Sequence, residues 1–173
     1  CDMLQQTPDS CNYFNNFRFI SSFKQPPNLL RSLFFTNYFR AVCCSKPGCK
    51  TCDIFIPYNN YFKYNEAVSY LNSNVNCCTD NIIYFAICSS ITCNATYIEE
   101  ICLPLNLRVN IHRYQTTHQE HTILPFNDHV NQCSPNKKML ITILYSMKET
   151  NDKKRLLMEN YYKQLFKPTF NAM

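Results

Sequence analysis

The residues that could do chemistry fall into two groups, and the first is a run of thiols. Cys44-x4-Cys49-x2-Cys52, in the stretch C-C-S-K-P-G-C-K-T-C, has the spacing of a metal knuckle. A tight turn at Pro47-Gly48 would bring three thiolates within reach of one Zn²⁺, and the chain's only glycine stands where that turn is most demanding. Candidates for a fourth ligand are Cys77, Cys78, Cys88, Cys93 or a histidine. The competing readings are reduced, buried thiols or disulfides of a secreted protein. Clustering favours metal in a reducing, nuclear or cytoplasmic setting. A looser set, Cys88, Cys93, His129 and Cys133, is either a further site or core thiols and a surface histidine.

The second group is dispersed: Tyr84, Tyr97, Arg108, His112 and Glu159. Arg108 and His112 are four apart and share a helix face. A carboxylate can hold a hard divalent cation, an arginine fork can hold a phosphoryl group, and a tyrosine or histidine can position or deprotonate water. Each residue alone also has a plain reading. A strand tyrosine is usually core with its hydroxyl bonded, an Arg/His pair usually faces solvent, and Glu159 has Lys163 at i+4.

The elements that must position these residues follow from periodicity and punctuation. Ile82 to Cys88 reads as a buried strand, Asn94-Ala95-Thr96-Tyr97-Ile98 as a short second one, and Met139 to Tyr145 as a third. Pro104 opens a helix through L-N-L-R-V-N-I-H-R-Y. Asn151 or Asp152 caps a basic helix that stops before Pro168. L-P-F-N-D-H-V-N-Q-C suggests another short helix. Residues 1–40 read as a connector, 41–80 as a cysteine-rich zinc-binding module, and 81–173 as a compact unit of strands and helices.

Composition sets the outer bounds. The chain has 173 residues, 12 cysteines and a single glycine, which excludes Gly-rich nucleotide loops and Gly-Ser linkers. A net charge of +5 permits a polyanionic partner, and Lys137, Lys138, Lys148, Lys153, Lys154, Arg155, Lys163 and Lys167 crowd the last forty residues. No segment approaches the ~18 apolar residues of a membrane helix, so no membrane partner is expected. The opening C-D-M-L-Q-Q-T-P has no signal-peptide character, and a chain starting at Cys1 reads as a fragment of something longer. Asparagine is abundant, a bias that suits an AT-rich coding sequence.

Taken in order, I-I-Y, Y-I-E-E, L-N-L-R-V-N-I-H-R and M-E-N-Y-Y-K-Q-L-F-K-P-T-F-N resemble the GIY-YIG nuclease family. The closer likeness is to the version at the C-terminal end of Penelope-like retroelement reverse transcriptases. That version also carries a cysteine knuckle upstream, like C-S-K-P-G-C-K-T-C here, and cysteines where Cys77 and Cys88 stand. Q-P-P-N-L-L and L-P-F-N-D-H-V-N-Q-C resemble the same elements, so the likeness runs from about Gln25 to Asn171.

The resemblance implies an α+β fold, a small three-stranded antiparallel sheet flanked by helices behind a zinc knuckle. It implies a metal-dependent DNA endonuclease, using Mg²⁺ or Mn²⁺, joined to the rest of a reverse transcriptase polyprotein. By position, Tyr84 and Tyr97 match the motif tyrosines, Arg108 the family arginine and His112 the residue four further on. Glu159 matches the metal-binding glutamate, Asn171 the late asparagine, and Cys77 the fourth zinc ligand beside Cys44, Cys49 and Cys52. The pattern also departs from the family. Ile82 and Glu99 replace the two motif glycines, and Cys88-x4-Cys93 is wider than the expected C-x-x-C. A carboxylate at Glu99 repels a phosphate backbone unless it binds metal itself. These departures imply a diverged copy, with a catalytically inactive, nucleic-acid-binding zinc module as the alternative.

Overall fold

A computed structural model describes residues 38–90, 93–118, 129, 138–148 and 151–171. The strands are β1 (Arg40–Ala41), β2 (Tyr58–Asn59), β3 (Tyr61–Tyr64), β4 (Ala67–Tyr70), β5 (Ile82–Cys88), β6 (Thr96–Ile101) and β7 (Met139–Ser146). The helices are α1 (Leu105–His118) and α2 (Asp152–Phe166). The fold is α+β: three small antiparallel sheets and two helices among the described residues.

The apolar run Ile82–Cys88 is the central strand of the main sheet, flanked by antiparallel β6 and β7. It is buried on both faces, which explains an apolar run without alternation. One face presents Ile82, Tyr84, Ala86 and Cys88. These pack with Tyr97 and Ile101 of β6, Ile141 and Ile143 of β7, and Leu105 and Val109 of α1. Phe55, Leu71 and Val75, from the polypeptide before residue 81, belong to the same cluster. The opposite face presents Phe85, whose ring meets Phe62 and Tyr64 of the β3–β4 hairpin and Phe166 of α2 at centroid distances of 5.5, 5.0 and 5.5 Å.

The first helix starts at the proline signal, and the second starts and stops where its sequence signals place it. The Pro104 carbonyl accepts from Leu107 and Arg108 at the start of α1. Asn151 caps α2, its side chain accepting from the Lys154 amide at 3.0 Å, and Lys167 closes it in the left-handed region before Pro168. Of α2, Arg155, Glu159, Tyr162 and Phe166 are buried, while Leu157 and Tyr161 are exposed.

With one glycine, left-handed backbone has to be found elsewhere. Asn60, Asn65 and Asn81 take φ of 60, 52 and 47°, positions that asparagine tolerates best after glycine. Asn65 makes the two-residue turn between β3 and β4. Three of the many asparagines therefore serve the backbone, beyond any coding bias. Gly48 is at φ 66° in the turn that separates the knuckle cysteines.

The connector at 1–40 lies outside the described residues except for its last three, of which Arg40 opens β1. The short helix expected at L-P-F-N-D-H-V-N-Q-C lies outside them apart from His129, as does Cys133. No helix among the described residues is long and apolar enough to cross a membrane.

Candidate functional site

The thiols assemble as a cluster. The Sγ atoms of Cys44, Cys49, Cys52 and Cys77 all lie within 4.8 Å of one another. Cys49 to Cys77 is 3.6 Å, Cys44 to Cys52 3.6 Å and Cys52 to Cys77 3.7 Å. A tetrahedron with Zn–S bonds of ~2.3 Å has edges of about 3.8 Å, so these four sulfurs can hold a metal ion such as zinc. Cys77, open among several candidates in the sequence, is the fourth member. A backbone hydrogen bond at Lys46, helped by Cys77, draws the Cys44 thiol down to about 7 against the pull of burial. Burial pushes the Cys52 and Cys77 thiols up. None of the nine described cysteines is in a disulfide.

Cys88, Cys93 and His129 form a second group of donors within 4.8 Å of one another, with Cys93 Sγ 3.5 Å from His129 Nε2. Burial lowers the His129 pKa, which favours the neutral imidazole that a metal requires.

The cysteine cluster also sets the start of α1. The Cys77 carbonyl accepts from the Asn106 amide at 2.7 Å and the Thr79 carbonyl from Leu105 at 3.1 Å. Two of the helix's orphan donors are thus satisfied by the segment that carries the cluster's fourth cysteine. Farther along, the Arg113 guanidinium donates to the Lys50 carbonyl between Cys49 and Cys52.

Arg108 and His112, one turn apart on α1, face β5 and β6. The β5–β6 register sets Tyr84 directly across from Glu99 and Ala86 across from Tyr97. Tyr84, Glu99 and Tyr97 therefore share the sheet face beneath α1. The Arg108 fork grips the Glu99 carboxylate with both arms: Nε reaches Oε2 at 3.0 Å and the second nitrogen meets Oε1. The Tyr84 hydroxyl donates to Oε2, and His112 Nε2 lies 3.2 Å from that hydroxyl and 3.6 Å from Oε2. The Tyr84 and Tyr97 rings sit edge to face, 6.4 Å apart.

Electrostatics follow from this arrangement. Burial opposes ionisation of Glu99, but hydrogen bonds from His112 and Arg108, with the Arg108 charge, win and hold it at about 2. Burial tends to lower the Arg108 pKa, and Glu99 reverses that. Burial first, and Glu99 second, push the Tyr84 and Tyr97 hydroxyls well up, so both stay protonated at neutral pH.

The remaining predicted residues sit around this centre. Glu159 is buried and pairs with Lys163 at 2.9 Å, the plain i,i+4 reading, yet its charge is felt by Tyr97. Asn171 Oδ1 accepts from the Ile98 amide at 2.7 Å, which ties the chain after α2 to the edge of β6. The structure thus gives Asn171 a backbone partner on β6. Sequence reasoning missed the pairing of Glu100 with Arg155, which also meets Asp152 at 2.8 Å and pins α2 to β6. A cavity of about 440 Å³ adjoins the centre at His112, between α1 and the knuckle, with Lys50, Arg113 and Lys138 in its wall.

The chain matches no protein-family model, no curated protein and no solved structure.

Proposed function

We propose that this chain is a DNA endonuclease domain of the GIY-YIG type, from a retroelement reverse transcriptase, with a zinc-ordered cysteine knuckle. The observation that carries the reading is convergence. Tyr84 from β5 and Arg108 and His112 from α1 meet at the Glu99 carboxylate, with the Tyr97 ring against Tyr84. A protonated tyrosine, an arginine fork and an imidazole suit a phosphodiester. Arg108 neutralises the phosphoryl charge, Tyr84 and Tyr97 orient as donors, and a tyrosine or His112 positions the attacking water.

Glu159 would hold Mg²⁺ or Mn²⁺. A single carboxylate fits a cation that keeps several waters and takes substrate phosphate as ligand. When bound, the cation would polarise the phosphate and stabilise the leaving oxygen. Lys50, Arg113 and Lys138, in the wall of the cavity that His112 also lines, are cations that a nucleic-acid strand could contact.

A second reading, a zinc-containing nucleic-acid-binding module without hydrolysis, is favoured by one observation. The acceptor point is filled by Glu99. Plasmid nicking in Mg²⁺ or Mn²⁺, comparing the chain with Glu159→Ala, separates the two. Metal-dependent nicking lost in the variant supports the nuclease. Equal DNA binding by both proteins without cleavage supports the module.

A further inference from the structure

We infer that Arg108, Tyr84 and His112 form a receptor for a phosphate-class oxyanion, and that the Glu99 carboxylate is its built-in occupant. The choice of phosphate as the anion rests on the reading above; the existence of the receptor rests on the contacts alone. The Arg108 fork and the Tyr84 hydroxyl, from two elements, converge on one pair of carboxylate oxygens, and His112 Nε2 lies 3.6 Å from one of them. An arginine fork accepts two phosphate oxygens in the same bidentate geometry as a carboxylate.

The occupant comes from a position that need carry no side chain. Glu99 is on β6 directly across from Tyr84, so its side chain rises on the face beneath α1. A glycine there would leave Arg108, Tyr84 and His112 in place and remove the acceptor. Arg108 would then stand as a cation with its side chain only 18% exposed, facing Tyr84 and His112, with its main counter-ion gone. An uncompensated, half-buried guanidinium recruits an anion.

The native chain is therefore self-occupied. A strand reaches Arg108 only by displacing Glu99, an intramolecular competitor held at high effective concentration. A purely structural ion pair predicts otherwise: losing Glu99 would weaken the fold and create no affinity for anions.

The test is binding of inorganic phosphate, followed by calorimetry and by ³¹P NMR, to the full chain and to Glu99→Gly. Glu99→Ala runs in parallel, in case glycine in the strand prevents folding, with thermal melting as the check. The expected result is saturable phosphate binding by the Gly or Ala variant, at least tenfold tighter than by the native chain. Adding Arg108→Met to the variant should abolish it. Folded variants that bind phosphate no better than the native chain, or binding that survives Arg108→Met, would overturn the inference. So would loss of folding in both variants, since Glu99 would then be a structural requirement. Nicking is scored separately. Phosphate binding without nicking leaves the receptor in place and removes the nuclease reading; nicking by the native chain removes the receptor's occupant.

Discussion

Acid should uncouple Glu99 in a measurable way. Its carboxyl is drawn from 4.5 to about 2 in the folded protein. Because the folded value lies below the unfolded one, the ionised form stabilises the fold. The contribution is complete above pH 4.5 and disappears as pH falls through 2. At 1.36 kcal/mol per pKa unit it amounts to ~3 kcal/mol at neutral pH. The linkage relation puts the loss relative to pH 7 at about 1 kcal/mol by pH 4 and about 2 kcal/mol by pH 3.

Urea unfolding of the native chain and Glu99→Gln at pH 7, 4 and 3 reads this directly, since glutamine does not titrate. The groups facing position 99 are Tyr84 on β5, Tyr97 on β6, Arg108 and His112 on α1, and Glu159 on α2, through Tyr97. All are present in both proteins, as is any acid-labile metal at the thiols, so their titration largely drops out of the difference. The native chain should lose the stated amounts beyond what Glu99→Gln loses. Parallel pH curves for the two proteins would refute the argument, because Glu99 would then hold no depressed pKa.

Two further perturbations test the frame. Cys49→Ser should lower the chain's zinc content by one ion, measured by mass spectrometry, and should speed amide exchange of Leu105 and Asn106, whose acceptors belong to the Cys77–Thr79 segment; unchanged zinc would remove the cluster as a site. Phe85→Ala, which empties the ring junction of β5, β3 and α2, should cost ~3–5 kcal/mol in urea unfolding; a loss below 1 kcal/mol would contradict that packing.

The parts of the fold legible in sequence are those where one signal dominates. Ile82–Cys88 is apolar throughout because it is central in its sheet, and Asn151 and Pro168 bracket α2 because capping and proline geometry are local. The β3–β4 hairpin was not legible. Its strands are Tyr- and Asn-rich, and its turn uses Asn65 where a glycine would have announced it. The knuckle's first three cysteines follow from spacing, but its fourth depends on a fold that brings Cys77 back from well along the chain. Glu100 and Arg155 likewise meet only when α2 returns to β6.

Glu99 shows most clearly what residue types leave out. Judged against a phosphate alone, its charge reads as repulsion. In the fold it faces an arginine, a tyrosine hydroxyl and a histidine, all supplied by neighbours that had been assigned to the phosphate. The same donors would suit either anion, so the charge that would repel a phosphate also satisfies the site. The cysteine cluster bears on this balance through α1. Cys77 and Thr79 anchor Leu105 and Asn106, and Arg108 and His112 follow within the next two turns. At 1.5 Å and about 100° per residue, a shift of α1 by a single residue would turn both side chains off the Glu99 carboxylate. The position of the receptor is thus set by the same backbone that holds the fourth thiol. Loss of the cluster should loosen Arg108 before it loosens the sheet, because β5 keeps its core partners on both faces.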